Sequence, residues 1–271
     1  MKKISIITGG AGGIGLATAK VVGRDHHVVI CDVNQNRLDK AIGELKQLGI
    51  SCDSVVCDIT DPATVDALMK HAIGQGQLVS VIHTAGLSPQ MADPQTILKV
   101  NALGSVNITN ACHAIAREGF ALINVASMAA HLFPAFLLPK RAYPLALTDA
   151  QVFLKKALFP TRFMPTRLFR NGMAYGISKN FVIWLSRRSA AKFGEKGARI
   201  LSVSPGTFDT EMGRLEEKSG SAKMLKTAAL KRFGKPEEMA ELLAFCASEK
   251  AGYLTGTDIL CDGGVIAGRK E

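Results

Sequence analysis

The sequence predicts an α/β fold in which helices cover both faces of a doubly wound, parallel sheet. Short apolar runs alternate with helical patterns along nearly all of the 271 residues, which is the order expected of repeated β-α-β units. Several of these runs are apolar at every position, as strands buried on both faces are. We find no internal repeat and no linker, so we predict a single domain over residues 1–271.

The individual elements follow from the period of the apolar residues. The predicted strands are Lys3–Thr8, Val28–Cys31, Cys52–Cys57, Leu78–His83, Phe120–Ala126, Ala198–Ser204 and Asp258–Cys261. The first three predicted helices lie near Ile14, after Asn34 as an N-cap, and from Pro62 onward. Three more are predicted at Thr96–Arg117, Met173–Phe193 and Pro236–Ala247.

Residues 131–172 interrupt this alternation. They hold five of the ten prolines, six of the twelve phenylalanines, and seven Lys or Arg against one acidic residue. Thr148 and Gln151 have the spacing of a capping box before a short helix that ends at Pro160. Because so many large apolar residues argue against disorder, we predict a small, partly helical insertion.

Composition limits the classes of function. The net charge is +10, but no nucleic-acid-reading module accompanies it, so we predict no nucleic-acid partner. The six cysteines form no C-x-x-C pair and no cluster with histidine, which predicts reduced thiols and no metal site. The chain enters its first strand directly after Met1-Lys2-Lys3 and has no apolar run near the ~18 residues of a membrane span, so we expect a cytoplasmic protein without an integral membrane segment.

A glycine-rich turn at residues 8–15 lies between the first predicted strand and the first helix. Gly9, Gly13 and Gly15 permit a tight turn. They also let a pyrophosphate approach the N–H groups at the helix N-terminus, beside Ile14. With a strand before it and a helix after it, this turn predicts a dinucleotide site.

Asp32 ends the second predicted strand and is followed by Val33. A carboxylate there accepts hydrogen bonds from an adenosine ribose and repels a 2′-phosphate. The turn from Gly9 to Gly15 carries no Lys or Arg to offset that repulsion. We therefore predict NAD as the cofactor and NADP as the less favoured one, with Arg37 as the residue that could reverse the preference.

Tyr175 and Lys179 are four residues apart in a predicted helix, so both side chains lie on one helix face. An ammonium beside a phenol favours the phenolate form, and such a phenol can exchange a proton with an alcohol or carbonyl. A Tyr-x-x-x-Lys pair is common by chance. Its weight comes from the glycine turn and the acid that precede it in the chain.

Taken together, these residues resemble the short-chain dehydrogenase/reductase family over nearly the whole chain. The matching motifs are Thr8-Gly-x-x-x-Gly13-Ile-Gly15, Asp58 with Ile59 after the third strand, Ala85-Gly86 after the fourth, Asn101, Ser127 after the fifth, Tyr175 with Lys179, Ser204–Thr210, Arg232–Pro236, and Gly256-x-Asp258 with Asp262-Gly-Gly264. The resemblance implies a Rossmann-type fold that binds NAD(P).

The resemblance also implies a role for each matching residue. Tyr175 would be the general acid/base, and Lys179 would support it and bind the nicotinamide ribose. Ser127 would hydrogen-bond the substrate oxygen, and Asn101 would hold a water in a proton relay, while hydride passes between nicotinamide and carbinol carbon. The implied cofactor contacts are Gly9, Gly13, Ile14, Gly15, Asp32, Val33, Asp58, Ile59, Ala85, Gly86, Tyr175, Lys179, Pro205, Gly206, Thr207 and Thr210.

The chain departs from the family pattern at two places. His83-Thr84 stands where the family commonly has Asn-Asn, and we expect His83 to be a sheet-end residue because the proton role is already filled. Ser127 and Tyr175 are 48 residues apart, where the family usually has about a dozen between them. An insertion before the catalytic Tyr is similar to that of some hydroxysteroid dehydrogenase and carbonyl reductase members, and it would lie at the lip of the substrate cleft.

Several uses of this insertion stay open. It could be a packed surface subdomain, attract an anionic substrate group, or touch a membrane surface. It could also wall an apolar pocket with Phe133, Phe136, Leu137, Leu138, Phe153, Phe159, Phe163 and Met164. In the family, the helix at Thr96–Arg117 and the Tyr175 helix usually form a four-helix subunit interface. An insertion covering it would favour a homodimer through the C-terminal face, with a tetramer as the alternative.

Residues 207–235 match the family's variable substrate lid, with Gly213 and Gly220 as possible hinges. The sequence therefore predicts an NAD(H)-dependent oxidoreductase that interconverts a secondary alcohol and a ketone. Its small-molecule substrate would be bulky and apolar, steroid-like or acidic. The alternatives are a 3-oxoacyl-thioester reductase and a non-catalytic, dinucleotide-sensing interaction protein on the same fold.

Overall fold

Seven parallel strands form one sheet in the computed structural model, which describes residues 1–217 and 225–269. The strands are β1 Lys3–Thr8, β2 His27–Asp32, β3 Cys52–Val56, β4 Gln77–His83, β5 Ala121–Val125, β6 Arg199–Pro205 and β7 Asp258–Cys261. They lie in the order β3-β2-β1-β4-β5-β6-β7, which confirms the predicted doubly wound sheet. The chain reverses its direction of growth between β1 and β4, where the carboxyl ends of the strands leave a crevice.

Helices cover both faces of the sheet. They are α1 Gly13–Val22, α2 Gln35–Gln47, α3 Pro62–Gln75, α4 Pro94–Leu98, α5 Gly104–Ile115, α6 Ala150–Leu158, α7 Arg167–Gly194, α8 Glu211–Glu217 and α9 Pro236–Ala247. Apolar side chains of α1, α2 and α9 pack on one face, and those of α3, α5 and the end of α7 pack on the other. Asn34 caps α2 as predicted, with its Oδ1 accepting from Arg37 N at 3.0 Å.

The helix predicted at Thr96–Arg117 is divided in the structure. It begins at Pro94, where Asp93 caps α4 by accepting from two backbone N–H groups. A turn of π-helix at Lys99–Leu103 then separates α4 from α5. Such turns add a residue locally and often occur at functional sites, and this one carries Asn101.

Two boundaries of the predicted insertion are corrected by the structure. The helix that carries Tyr175 begins at Arg167, capped by Thr166, so it takes in the last six residues of the predicted segment 131–172. The cap of α6 is Asp149 rather than Thr148. The Asp149 carboxylate accepts from the backbone N–H of both Gln151 and Val152, and a charged acceptor is favoured at a helix N-terminus.

Most of the predicted insertion packs as a third core layer on α4, α5 and α7. Phe153 is fully buried there, with its ring 5.2 Å from that of Phe181. Tyr143 packs edge-on against Phe181 and Trp184, and its hydroxyl donates to Asn180 Oδ1 at 3.1 Å. The segment therefore covers α4 and part of α7, which belong to the two helices that were expected to form a subunit interface.

The predicted lid at residues 207–235 is described except for residues 218–224, so Gly220, one of the two predicted hinges, lies outside the described part. A short parallel bridge joins its ends, because Gly234 N donates to Thr207 O at 3.0 Å and Asp209 N donates to Gly234 O at 2.9 Å. Gly213 is buried within α8, where a Cβ would collide with Phe208 O. Close packing, rather than hinging, explains this glycine.

We expect the core of the inserted segment to contribute strongly to stability. Phe153→Ala should lower the free energy of unfolding by about 3–5 kcal/mol, because it leaves a cavity between α6 and α7. Phe136→Ala makes the same change at a side chain that is 84% exposed, and it should change stability by less than about 0.5 kcal/mol. Urea unfolding of both variants measures the difference, and equal losses would contradict the packing described.

Candidate active site

A cavity of about 800 Å³ opens at the carboxyl edge of the sheet. Of the predicted site residues, its walls include Gly9, Gly13, Ile14, Gly15, Asp32, Val33, Asp58, Ile59, Ala85, Gly86, Ser127, Tyr175, Lys179, Pro205, Gly206 and Thr210. Asn101 and Thr207 are not among the wall residues. Residues from the ends of six strands, β1 to β6, and from the front of α7 thus meet in one crevice.

The glycine turn forms the floor at the N-terminus of α1. Gly9 has φ +64°, and a Cβ there would lie 2.9 Å from the N and Cα of Ala85. A Cβ on Gly15 would collide with Gly9 O. The turn can therefore approach the loop after β4 only because Gly9 and Gly15 have no side chains. It leaves a wall of backbone groups at the N-terminus of α1, which suits a phosphate.

Two carboxylates lie at the end of the cavity beside β2 and β3. Asp32 Oδ1 accepts from Asn34 N at 3.3 Å, and Asp58 Oδ1 accepts from Thr60 N at 2.8 Å. A cation shares this end, because the Arg37 guanidinium lies over the glycine turn. A Cβ on Gly12 would be 2.6 Å from Arg37 Nη2.

Arg37 is also paired across the cavity with the lid. Its Nη2 lies 3.5 Å from Glu211 Oε2 on α8. The charge of Arg37, the residue that could reverse the predicted cofactor preference, is therefore partly neutralised by the Glu211 carboxylate. Gly12 and Glu211 were not predicted as site residues, and nothing in the sequence pairs residues 174 positions apart.

Lys179 connects α7 to the end of β5. Its side chain is 5% exposed, and Nζ donates to Val125 O at 2.9 Å. Nζ also lies 5.9 Å from the centroid of the Tyr175 ring. Gly86 completes this corner, because a Cβ there would be 3.3 Å from Lys179 Nζ. Ser127 follows the same strand, so its hydroxyl, which accepts from Ala129 N at 3.1 Å, reaches the same cavity.

The Asn101 side chain is engaged within the chain. Its Oδ1 accepts from Leu87 N at 2.8 Å, and its Nδ2 donates to Leu87 O at 3.0 Å and to Ser178 Oγ at 3.1 Å. The amide therefore clamps the loop after β4 against α7. Its predicted part in a proton relay stays a prediction.

His83 belongs to a buried chain of hydrogen bonds in which donors and acceptors can be assigned in only one way. Ser105 Oγ donates to Asn101 O at 2.7 Å, so it accepts from His83 Nε2 at 3.1 Å. His83 Nδ1 must then accept from Thr8 Oγ1 at 2.7 Å, while Thr8 Oγ1 accepts from Ala85 N at 3.2 Å. The histidine thus joins the glycine turn to the π turn.

This environment keeps His83 neutral. Burial, followed by the charge of Lys179, lowers the pKa of the imidazole to about 3. A protonated ring would also lose the acceptor that Thr8 requires. His83 is therefore a structural group at the end of β4, as the sequence predicted, and it is not placed to act as an acid or base.

The loop after β6 supplies the opposite wall. Pro205, Gly206 and Thr210 line the cavity. The Thr207 hydroxyl is buried and has no hydrogen-bond partner within residues 1–217 and 225–269. A buried hydroxyl without a partner is uncommon. Thr207 does not line the cavity, whereas its neighbours Gly206 and Phe208 do, so the loop forms a wall without presenting this hydroxyl. Together with the glycine floor, it makes the cavity compatible with a dinucleotide.

The residues that line the apolar half of the cavity differ from those that the sequence predicted. Of the eight apolar residues proposed from the insertion, Phe133 and Met164 line it, with Phe133 seated against Gly176. The other six lie elsewhere: Leu138 and Phe153 in the third core layer, Leu137 packed against that layer, and Phe136, Phe159 and Phe163 in solvent. The wall residues that were missed include Met91, Met128, Leu132, Leu168, Phe169 and Met173.

A signal for part of this wall was present. Leu168, Gly172 and Tyr175 have the spacing i, i+4, i+7, so extending the helical period back from Tyr175 would have placed all three on one face.

Within the described ranges, no group of three His, Cys, Asp or Glu residues could hold a metal ion. Nor does any described helix have the length and hydropathy to cross a bilayer.

The neutral state of His83 gives a testable dependence of stability on pH. The folded pKa of about 3 lies below the ordinary 6.5, so the unfolded chain binds more protons between these values and stability falls as pH falls. His83→Asn should remove about 1.4 kcal/mol of this loss per pH unit between about pH 6 and 4. Urea unfolding across that range measures it, with the exposed His71→Asn as control. Parallel curves for wild type and His83→Asn would contradict the buried, neutral histidine.

Comparisons with known proteins agree with this geometry. The family model described as short chain dehydrogenase matches residues 3–138, and that described as Enoyl-(Acyl carrier protein) reductase matches residues 132–266. The short-chain dehydrogenase/reductase bsc3 of Alternaria brassicicola is 29% identical over 271 residues, covering 98% of this chain and 97% of the relative. The 3-oxoacyl-[acyl-carrier-protein] reductase FabG of Thermotoga maritima is 24% identical, covering 97% and 98%.

A solved structure shares the fold. The short chain dehydrogenase from Burkholderia cenocepacia, in complex with NADP, superposes with a TM-score of 0.75 at 22% identity, covering 97% of each chain. Two family models together span residues 3–266, and the glycine turn, Ser127 and the Tyr175–Lys179 pair share one cavity. The chain therefore belongs to the short-chain dehydrogenase/reductase family, whose members are oxidoreductases that bind a nicotinamide dinucleotide.

Proposed function

We propose that this protein is an NAD(H)-dependent oxidoreductase that interconverts a secondary alcohol and a ketone on a bulky, apolar substrate. One observation carries the proposal. Ser127, Tyr175 and Lys179 converge on the cavity whose far end holds the glycine turn and Asp32. A proton-exchanging pair and a dinucleotide floor in one crevice are what such a reaction requires.

The chain's own groups would divide the work as follows. The Tyr175 hydroxyl exchanges a proton with the substrate oxygen, and the buried Lys179 ammonium, held by Val125 O, favours its ionised form. The Ser127 hydroxyl donates to the same substrate oxygen and stabilises its developing charge. Asn101 holds the loop after β4 in place and would contribute to the relay. The nicotinamide, when bound, gives or takes the hydride.

Asp32 is the basis for proposing NAD rather than NADP. Its carboxylate faces the cavity and would repel a 2′-phosphate. Arg37 is close enough to offset that repulsion, but its guanidinium already pairs with Glu211. Asp58 and Ile59 would border the adenine, and Pro205, Gly206, Thr207 and Thr210 would border the nicotinamide.

The proposed substrate class rests on the apolar half of the cavity. Five of its wall residues are methionines, Met91, Met128, Met164, Met173 and Met212. These flexible thioethers adapt to bulky apolar shapes. A 3-oxoacyl-thioester reductase is a second candidate, supported by the name of the Thermotoga maritima relative. The dinucleotide-sensing alternative is disfavoured because a sensor has no need of Ser127, Tyr175 and Lys179 together.

We further propose a homodimer and a cytoplasmic location. The inserted segment packs over α4, α5 and α7, which would hide the helix pair that the family uses for its four-helix interface. Association through the C-terminal face then remains. Light scattering that shows a tetramer built on α5 and α7 would contradict this arrangement.

Removal of the phenol tests the proposed chemistry. Tyr175→Phe should lower kcat by about a thousandfold or more, since general acid/base and charge-stabilising contributions are both lost. The Kd for NADH should change by less than about threefold, because the ring is kept. The assay is a panel of apolar alcohols and ketones with NAD and NADP in parallel. The matched control is Tyr253→Phe, which removes the hydroxyl of a fully exposed tyrosine.

Two outcomes would contradict the proposal. Wild-type protein that binds NADH but turns over no member of the panel would favour the hypothesis of a non-catalytic dinucleotide sensor. Turnover by Tyr175→Phe that equals the control would exclude the phenol as the proton-exchanging group. Selective turnover of 3-oxoacyl thioesters would favour the second candidate.

The cofactor preference is tested at Asp32. Asp32→Ser removes the repulsion of a 2′-phosphate, so kcat/KM with NADP should rise at least about tenfold relative to NAD, equivalent to about 1.4 kcal/mol. Adding Arg37→Ala to that variant should reduce the gain, because the guanidinium over Gly12 would contribute to binding the phosphate. The control Asp66→Ser removes an exposed acid on α3. Wild-type protein that prefers NADP would overturn the assignment.

A further inference from the structure

Residues 159–170, called here the mouth segment, expose an unusual set of aromatic side chains. Phe159, Phe163 and Phe169 are 56%, 70% and 60% exposed. The rings of Phe159 and Phe163 meet edge-on with centroids 5.2 Å apart. Large apolar side chains that lie together on a surface mark a site of interaction more often than isolated ones do.

The mouth segment is held in this arrangement by the chain. Thr161 is buried, and its hydroxyl donates to Leu158 O at 2.7 Å, which fixes the 3₁₀ turn Phe159–Phe163 to the end of α6. Arg170 Nε donates to Met164 O at 3.2 Å and ties the turn to the start of α7. The phenylalanines are therefore presented outward by a folded scaffold.

Cations are interleaved with these rings. Arg162, Arg167 and Arg170 are exposed within the mouth segment. Lys155 and Lys156 are exposed on the last turns of α6, just before it. In the described part of the chain, no carboxylate forms a salt bridge with any of the five.

The only acidic residue of the 131–172 segment does not offset this charge. Asp149 is engaged as the cap of α6, at the opposite end of that helix from Lys155 and Lys156. The face thus combines exposed aromatic carbon with five cations that form no salt bridge among the described side chains. An anionic surface that also offers hydrocarbon complements both properties at once.

The mouth segment borders the opening of the apolar half of the cavity. Met164, Leu168 and Phe169 line the cavity, while Phe159 and Phe163, in the same segment, are exposed and do not line it. Anything that docks on the segment would therefore lie beside the entrance. An apolar molecule dissolved in that partner could pass into the cavity without crossing open water.

We propose that the mouth segment docks the protein on the surface of an anionic lipid bilayer. Phe159, Phe163 and Phe169 would enter the boundary between headgroups and acyl chains, and the interleaved arginines would contact lipid phosphates. The alternation of ring and cation along one short segment favours a lipid surface, which presents phosphate and hydrocarbon together at every point. The proposal concerns binding in the absence of substrate and does not depend on the proposed reaction.

Sedimentation of the full chain with sucrose-loaded vesicles tests the proposal. Binding to phosphatidylcholine vesicles containing about 30% phosphatidylglycerol should be at least about tenfold stronger than binding to pure phosphatidylcholine, and added salt should reduce it. Phe159→Ser with Phe163→Ser, and separately Arg162→Glu with Arg167→Glu, should each lower the binding at least about fivefold. None of these four side chains lines the cavity, and thermal melting of both variants checks that they fold.

A matched control changes an exposed ring and an exposed cation elsewhere. Tyr253→Ser with Lys250→Glu alters such residues beyond α9, near the amino-terminal end of β6, while the cavity lies at the carboxyl edge of the sheet. This variant should bind vesicles as the wild type does. The proposal is overturned if the wild type ignores anionic vesicles, if it binds neutral vesicles equally well, or if the control loses as much binding as the mouth-segment variants.

Binding of either of two other partners at the mouth segment would also overturn the lipid-docking proposal. A second copy of this chain would be indicated by a wild-type molecular mass, from light scattering, that halves in the Phe159→Ser, Phe163→Ser variant. An acidic protein would be indicated if purified acyl carrier protein bound the wild type, lost that binding in the Arg162→Glu, Arg167→Glu variant, and vesicles did not bind at all.

Discussion

The contact between the Lys179 ammonium and Val125 O is the interaction on which the site depends. A buried ammonium is unfavourable unless it is hydrogen-bonded, and α7 can supply this one only by lying across the carboxyl end of β5. That position brings Tyr175 and Ser127 to one cavity. Gly86 packs closely at this corner, because a Cβ there would lie 3.1 Å from Asn101 Oδ1 and 3.3 Å from Lys179 Nζ. Helix, strand and loop are thus fixed relative to one another by one charged group.

A second constraint comes from polar groups that the sheet buries beneath this contact. The chain of hydrogen bonds from Thr8 through His83 and Ser105 to the Asn101 carbonyl has only one direction in which every donor finds an acceptor. It is satisfied while the imidazole stays neutral, and burial favours that state. The Asn101 amide then holds the loop after β4 at Leu87. The glycine turn and the corner around Lys179 are therefore linked through buried hydrogen bonds.

The segment between Ser127 and Tyr175 gives the protein its individual features. Its inner side chains, Tyr143 and Phe153 among them, pack on α7 and cover the adjoining helices. Its later residues wall the apolar half of the cavity through Met164 and, at the start of α7, Leu168. The remaining phenylalanines point outward among cations. One stretch thus shapes the apolar half of the cavity, the third core layer and part of the outer surface.

Local rules in the sequence determined the order of strands and helices, the cap at Asn34, and most wall residues of the dinucleotide floor, because period, capping and strand-end motifs act within a few residues. Tertiary structure alone decided which phenylalanines of the irregular segment are buried: Phe153 is fully buried in the third core layer, whereas Phe163 is 70% exposed. It also placed Asn101 behind the cavity wall and Glu211 against Arg37. Burial and long-range pairing depend on contacts between segments far apart in the chain, and no local pattern encodes them.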